Sequence, residues 1–467
     1  MSAATPQSSS GHAVPGDPMP AGIQNVYYFD VFNTASWSVV LGAPMMLFLQ
    51  HLNATATLIA VAAGMSPILN TLQIPAARFV EKIGYKRFVL AGWTTRSFLV
   101  VGMTIVAFLP DTIPTLWRVS AMLALSFIYN AMRGISACGM LPWFTHIVPE
   151  SRRGEFLAKD QSANAVAGII AVLFFGKILA ADHAWYSFGL LFTFSFLSAF
   201  ISLYFLRRVP DVPVEKVTSS IAAVPWKEIF FYKPFYKYVR LCIVVNTAFG
   251  ASGAFWVRFF KTSPYLHLSN ANVLYIASGT SFMSMLALLM ATPVIDRVHN
   301  KLVLSTGAIL LCFHFIGWGC VAAGVIPFNW TILIIQAMTS GFGGALWNLA
   351  NLRMVMGIVP AMGRPHFLAL YSVAVSLTVG IVPLFWGPLL DHMANWQVAW
   401  GIWKWNSYSV LYCALTFTMM LGLGLLQTIE EPKKMNWDVF MRELLVKTPS
   451  RAVSRIIGRL RGPTSLG

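Results

Sequence analysis

The chain is built from long apolar runs separated by short polar connections, beginning at Tyr27. Each run is about 20 residues long, the length at which an α-helix crosses the ~30 Å hydrocarbon core of a bilayer. Backbone polar groups in lipid must be satisfied within their own segment, so the runs predict α-helices. We expect twelve of them, over residues 27–49, 56–79, 88–109, 115–141, 157–180, 186–206, 238–260, 271–294, 302–324, 329–352, 367–390 and 406–428.

The polar stretches divide the chain into five parts. A six-helix bundle over residues 26–206 and a second over 238–429 are joined by a polar cytoplasmic linker at 207–237. Residues 1–25 are rich in Ser, Pro, Gly and Ala, which predicts a disordered tail. Residues 430–467 alternate apolar residues with Lys and Arg, which predicts amphipathic segments that lie on anionic membrane lipid or dock a partner protein. The predicted fold is an all-α membrane protein with twelve transmembrane helices.

A sequence repeat indicates that the two bundles are copies of one unit. The stretch Ile147–Ala158 returns as Ile358–Ala369, and seven of its twelve positions are identical, including Arg153 and Arg364. The match continues at the same offset of 211 through Ile170 and Ile381, Leu173 and Leu384, Gly176 and Gly387, and Leu179 and Leu390. A unit used twice predicts two pseudo-symmetric bundles.

Two shorter matching segments support the repeat. Asn33-Thr34-Ala35 in the first predicted helix returns as Asn246-Thr247-Ala248 in the seventh. Glu81-Lys82 after the second helix returns as Asp296-Arg297 after the eighth. The matching segments keep the same order in each half, so the duplication extends over most of the chain.

Composition agrees with a membrane protein and excludes other classes. Hydrophobic residues make up 57% of the chain and charged residues 11%, which is too little polar surface for a water-soluble globule of 467 residues. The net charge of +16 lies between the apolar runs rather than on one soluble face, which disfavours a nucleic-acid partner. The five cysteines lie inside apolar runs without metal-ligand spacing, so we expect neither a metal site nor a disulfide framework.

Orientation follows from the basic residues, because cytoplasmic loops retain Lys and Arg. With the N-terminus inside, the inner connections hold most of the Lys and Arg, and the outer connections hold almost none. Lys261 and Lys404 are the clearest exceptions. We therefore expect both termini in the cytoplasm and the chain in the cell (inner) membrane.

The connection between the second and third predicted helices carries a specific pattern of charges and glycine. It reads Ala77-Arg78-Phe79-Val80-Glu81-Lys82-Ile83-Gly84-Tyr85-Lys86-Arg87. This loop resembles the signature of the major facilitator superfamily, in which a small residue precedes an acid, a base, a glycine and a basic pair. Here Ala77 replaces the usual first glycine and Glu81 the usual aspartate, and the second-half copy has His299 where glycine is expected.

An acid and several bases at the cytoplasmic ends of helices can pair between the two halves and close the inner side in one conformation. The alternative is that the bases only follow the orientation rule. The matched acids in both halves are not needed for orientation, and the resemblance implies similar charge networks. The predicted gating residues are Glu81, Lys82, Gly84, Lys86, Arg87, Arg153, Asp296, Arg297 and Arg364.

Charged residues inside the predicted helices indicate where a solute binds, because each one in hydrocarbon costs at least roughly 2.5 kcal/mol. We single out Asp30, Arg96, Arg133, Lys177 and Arg258. The resemblance implies that the first, fourth, seventh and tenth helices line the central path, and Asp30, Arg133 and Arg258 fall on three of these. An equally weighted alternative is that Asp30 forms a fixed ion pair with Arg96 or Arg133.

Polar uncharged residues complete the predicted substrate site. Asn33 and Asn246 are repeat-related, and Trp347 and Asn348 follow a small-residue stretch on the tenth helix. Gly and Ala there are more typical of close helix packing, but Trp347 and Asn348 offer a stacking surface and hydrogen bonds. The predicted substrate-binding residues are Asp30, Asn33, Arg133, Asn246, Arg258, Trp347 and Asn348.

These features favour a secondary transporter of a small polar or anionic organic solute that works by alternating access and is coupled to a proton or solute gradient. The chain lacks a phosphate loop, a nucleophile elbow and metal-ligand motifs, so we expect neither an enzyme nor a cofactor. The alternatives are a non-transporting scaffold that assembles with other membrane subunits and a lipid-handling protein.

Overall fold

The computed structural model describes residues 19–149, 152–180, 186–212, 232–291, 298–359 and 364–429. Within these residues, twelve helical segments are long and apolar enough to cross a membrane. Their positions agree with the twelve predicted segments to within a few residues, which confirms the all-α membrane fold. Most of the predicted linker, the C-terminal tail and nearly all of the N-terminal tail lie outside the described residues.

The first half contains six spans made of nine helices. They are α1 Gln24–Val40 and α2 Ala43–His51 (first span), α3 Ala56–Asn70 and α4 Gln73–Ile83 (second), α5 Tyr85–Ala107 (third), α6 Thr115–Ala137 and α7 Met140–Ile147 (fourth), α8 Arg153–Ala180 (fifth) and α9 Tyr186–Arg208 (sixth).

The second half contains the remaining six described spans and a short hairpin. They are α10 Lys233–Thr262 (seventh), α11 Asn270–Ala291 (eighth), α12 Asn300–Ala322 (ninth), α13 Trp330–Ile358 (tenth), α14 Arg364–His392 (eleventh) and α15 Ser407–Gln427 (twelfth), with β1 Gln397–Trp400 and β2 Trp403–Asn406 before α15.

The ends of the spans define two faces of the molecule. We call the face where α1 begins and α15 ends the terminal face. The opposite face, which carries residues 52–55 and the hairpin of β1 and β2, is the distal face. The antiparallel hairpin was not predicted; it turns at Gly401, whose φ of +61° favours glycine.

The two halves repeat the same packing. In the first half the closest pairs of spans are first with sixth, third with fourth, third with sixth, first with fifth and second with fourth. Each pair recurs in the second half between the spans six positions later. This correspondence confirms the pseudo-symmetric bundles predicted from the repeat.

The breaks in the first and second spans have local causes. Between α1 and α2, Gly42 lies against the Ser38 carbonyl, and Pro44 in the first turn of α2 has no backbone N–H to donate. In the second span Pro67 lies inside α3, which ends four residues later at its cap, Thr71. These breaks were not visible in the hydropathy pattern, because the interrupted spans remain apolar throughout.

The halves meet along two related seams, the second span against the eleventh and the fifth against the eighth. In the first seam a methyl group on Gly64 would collide with the Gly380 carbonyl oxygen. One on Gly387 would lie 2.8 Å from both the Ala60 Cβ and the Thr57 Cα. In the second seam Gly176 lies against the Tyr275 ring. Gly176 and Gly387 are the glycines matched by the repeat.

We predict that Gly387→Ala destabilises the protein, because its added methyl group overpacks the seam at a cost of about 1–3 kcal/mol. Thermal unfolding of the purified protein in detergent measures this as a lower melting temperature. Gly424→Ala in α15 is the matched control, since a methyl group there meets nothing within 4 Å. Equal melting temperatures for the two variants would contradict a tightly packed seam.

Candidate functional site

A cavity of about 440 Å³ lies between the two halves. The first half contributes Leu41, Met46, Ala63, Ser66, Pro67, Asn70 and Arg133; the second half contributes Phe249, Gly250, Gly253, Ala254, Val375, Ser376, Val379 and Pro383. Both sets lie in the middle of the bundle, so the cavity is formed by the two halves together.

Arg133 is the only charged residue among the described residues that line this cavity. It comes from α6, near the break in the fourth span, and its Nη1 donates to the Ser66 Oγ at 3.2 Å. A serine hydroxyl leaves the charge of the guanidinium without compensation. The cavity therefore offers a cation in apolar surroundings, which favours an anionic group.

The seam between the second and eleventh spans closes this cavity toward the distal face. The contacts run from Thr57 with Gly387, near the distal face, to Ile68 with Gly380, about 16 Å further along the helix at ~1.5 Å per residue. The cavity lies beside the terminal-face end of these contacts, where Ala63, Ser66, Pro67 and Asn70 line it. In contrast, α4 and α7 at the terminal face pack against helices of their own half.

A second pocket of about 380 Å³ lies within the second half, among the seventh, eighth, ninth and tenth spans. Asn348 lines it together with Thr280, Ser284 and Ser340. Phe249 lines both this pocket and the cavity between the halves, so its ring is the partition between them. The polar side chains of this pocket are neutral, in contrast to Arg133.

Asp30 and Asn33 lie inside the first half rather than at the cavity between the halves. The Asn33 Oδ1 accepts hydrogen bonds from Arg96 and from the Trp93 Nε1. The Arg96 guanidinium also stacks on the Trp93 ring, with 4.3 Å between its Cζ and the ring centroid. Asp30 lines a separate pocket, described below, that also contains Asp160.

Arg258 joins the two halves at the distal face. Its Nη1 donates to the Ala54 carbonyl at 2.9 Å, and its Nη2 lies 3.7 Å from the Asp391 Oδ1. Asp391 at the end of α14 accepts from the Ala56 N at 2.7 Å and from the Thr57 N at 2.8 Å. A carboxylate from one half therefore caps the N-terminus of α3 in the other half. We call Arg258 and Asp391 the distal latch.

The remaining predicted substrate residues lie elsewhere. The Asn246 Nδ2 donates to the Cys242 carbonyl of its own helix at 2.8 Å. Trp347 is 1% exposed and packs in the hydrophobic core of the second half. The structure therefore brings the seven predicted residues into several places rather than one: Arg133 lies at the central cavity and Asn348 at the adjoining pocket. Their roles in binding stay predictions.

The predicted gating residues lie at the terminal face where the structure describes them. Gly84 has a φ of +92°, so the turn from α4 to α5 requires glycine. The Lys86 Nζ donates to the Val209 carbonyl at 2.8 Å, and the Arg153 Nε to the Val148 carbonyl at 3.3 Å. Lys82 and Arg87 are exposed. Asp296, Arg297 and the side chains of Glu81 and Arg364 lie outside what the structure describes.

The sequence profile of the Major Facilitator Superfamily matches residues 30–269, slightly more than half of the chain. The chain belongs to the Major Facilitator Superfamily. This confirms the resemblance seen in the loop after the second span. It also assigns the chain to a superfamily of transporters rather than to an enzyme family.

Solved structures of superfamily-like transporters share the fold. The nucleoside transporter NupG is 13% identical with a TM-score of 0.64, and the alignment covers 88% of this chain and 99% of that one. A POT family transporter in complex with 5-aminolevulinic acid is 13% identical with a TM-score of 0.64, covering 88% and 97%. At these identities the likeness concerns the fold alone. A search of curated proteins found no match.

Asp160 and Asp391 were not among the predicted site residues of this superfamily member. A signal existed for Asp160, because it is an acid inside the predicted helix 157–180. Asp391 lies just beyond the predicted end of the eleventh helix at residue 390, where a charge carries no penalty. Its role as a helix cap of the other half depends on tertiary packing and has no sequence signal.

We predict that Asp391→Ala shifts the protein toward a conformation that is open at the distal face. Losing a helix cap costs about 1 kcal/mol, which corresponds to roughly a fivefold change in a conformational ratio. Electron-electron distance measurements between spin labels at Asn53 and Asn395, in a variant without native cysteines, should show a larger long-distance population.

Asp111→Ala is the control for this experiment. Asp111 also forms an ion pair with an arginine, Arg118, at 2.7 Å, but both residues belong to the first half. The label distances should therefore not change. An unchanged distribution in Asp391→Ala would show that the latch does not hold the distal face closed.

Proposed function

We propose that the protein is a secondary active transporter that carries a small polar or anionic organic solute by alternating access. The solute binds in the cavity between the halves beside Arg133. The terminal face is cytoplasmic, so both chain ends lie inside the cell, as the basic inner connections indicate. The helices cross the cell (inner) membrane. Transport is driven by a proton or solute gradient.

The single observation that carries this proposal is the position of the cavity. It is lined by both halves and is bounded on one side by a seam of close backbone contacts. A site at the interface of two pseudo-symmetric bundles becomes accessible from alternate sides when one bundle rocks against the other. The seam and the distal latch are the contacts that such a movement has to break.

The choice of solute rests on Arg133. A guanidinium in a cavity whose other walls are mostly apolar is costly to leave without a partner, and an anionic group compensates it. Ser66 and Asn70 add hydrogen bonding at the same wall. The related folds include a transporter named for nucleosides and a transporter solved with 5-aminolevulinic acid, both polar organic molecules.

The distal latch supports movement rather than binding as the role of Arg258. Its guanidinium is already engaged by the Ala54 carbonyl and the Asp391 carboxylate. Both partners belong to contacts between the halves. Breaking them exposes the N-terminus of α3 and the Asp391 carboxylate to water, which can solvate both, so the cost of opening is moderate.

We predict that an anionic solute raises the melting temperature of the wild-type protein in a screen of metabolite classes at two pH values. Arg133→Ala should weaken binding at least about 30-fold, because truncating one partner of a buried charge pair costs about 2 kcal/mol or more. Arg133→Lys should retain part of the shift, since it keeps the charge.

Arg208→Ala is the matched control, because Arg208 is exposed and stacks on Tyr204, with 4.0 Å between its Cζ and the ring centroid, away from the cavity. Solutes found in the screen are then tested for uptake into liposomes with an imposed proton gradient. A wild-type protein that no solute class stabilises, and that co-purifies with a larger membrane complex, would contradict the proposal and favour a scaffold.

A further inference from the structure

Two aspartates face each other inside the first half. Asp30 lies on α1 and Asp160 on α8, and both line one pocket, where their carboxyl groups are close enough to interact directly. A hydrogen bond between two carboxyl groups needs a proton on one of them, because a carboxylate can only accept. Two carboxyl groups this close in low-dielectric surroundings favour one acid and one carboxylate over two carboxylates.

Asp160 is largely buried. Asp160 is 8% exposed, and its Oδ2 accepts a hydrogen bond from the Asn164 Nδ2 at 3.3 Å. Its buried Oδ1 receives no hydrogen bond from any described group. A buried carboxylate oxygen without a donor is costly, so the site is complete only when a proton occupies it.

The Asn164 amide orients the pair. Its Oδ1 accepts from the Thr34 Oγ1 at 2.7 Å, which leaves the Nδ2 to point at Asp160. Thr34 lies one helical turn after Asp30 on α1. Spans one and five are thus joined twice at this level, once through the Thr34 hydroxyl and once through the two carboxyl groups.

The charges around the pair come from several elements. Arg96 on α5 is 4% exposed and interacts electrostatically with Asp30. Arg153, at the start of α8, lines the same pocket. Tyr27 of α1 also interacts electrostatically with Asp160. Glu155, an exposed residue near the start of α8, forms ion pairs with Arg152 at 2.9 Å and with Lys159 at 2.7 Å.

A charge balance follows for the buried groups. Arg96 carries one positive charge inside the bundle, and it is fixed by Asn33 and the Trp93 ring. With one proton on the pair of carboxyl groups, the buried cluster is neutral. Loss of that proton leaves two adjacent negative charges against one positive, which low-dielectric surroundings oppose.

We propose that Asp30 and Asp160 together form a proton-binding site that holds one exchangeable proton between the first and fifth spans. The proton is transferred from a hydronium ion at the terminal face: one O–H bond of the hydronium ion breaks, an O–H bond to a carboxylate oxygen forms, and water is released. The pocket of about 340 Å³ that both residues line includes Val148 and Arg153, which lie at that face and mark the path of entry.

The site is placed to couple protonation to movement of the halves; this step rests on the proposed transport function. When the proton leaves, like charges on α1 and α8 repel each other. The fifth span packs against the eighth at Gly176 and Tyr275, so a shift of α8 reaches the second half directly. The first span also lines the central cavity through Leu41 and Met46.

Infrared difference spectra of the reconstituted protein between two pH values test the site without a solute. We expect a carboxylic acid C=O band that shifts in D2O and disappears in both Asp30→Asn and Asp160→Asn, because one proton belongs to the pair. Asp160→Glu should keep the band at a displaced frequency. Asp211→Asn is the control, since Asp211 is an exposed acid outside the pocket.

Size-exclusion profiles and melting temperatures establish that each variant is folded before its spectrum is compared. A band that persists in either single asparagine variant overturns the proposal, as does the absence of the band in the wild type. A sodium-dependent rise in melting temperature that Asp160→Asn abolishes would instead assign the pair to an alkali cation and also overturn it. These outcomes do not depend on whether the protein transports a solute.

Discussion

The structure depends on the close approach of helix backbones at the seams between the halves. Helices in lipid gain little from apolar burial against each other, so their association relies on tight packing at small residues. Gly64, Gly380 and Gly387 provide this in one seam and Gly176 in the other. Because these contacts reach only to mid-depth, the same packing that joins the halves also leaves a cavity between them.

Charge is distributed unequally over two halves that are otherwise alike. The first half buries Arg96 and Asp160, holds Asp30 in the same pocket as Asp160, and supplies Arg133 to the cavity. The second half presents neutral polar side chains around Asn348. The charges that the second half does place against the first, Arg258 and Asp391, lie at the distal face rather than at the cavity.

The distal latch shows how the repeat was modified. Asp391 follows Gly387 by one helical turn, and the position matched to it by the offset of 211 is Ala180. The eleventh span therefore ends in a carboxylate that caps α3, whereas the fifth span ends in alanine. Among the described residues, a carboxylate of one half caps a helix of the other at α3, which makes closure at the distal face electrostatic as well as steric.

Hydropathy and the repeat were enough to predict the twelve spans, their division into two bundles and the superfamily, because lipid forces every apolar run to satisfy its own backbone as a helix. The hydrogen-bond and ion-pair partners of the charged residues could not be predicted in this way. Whether Arg258 faces a solute or Asp391, and whether Asp30 faces an arginine or Asp160, depends on helix rotation and on contacts between residues more than a hundred positions apart. Those were decided by packing of the folded chain, since a helical sequence specifies which residues share a face and leaves open what that face meets.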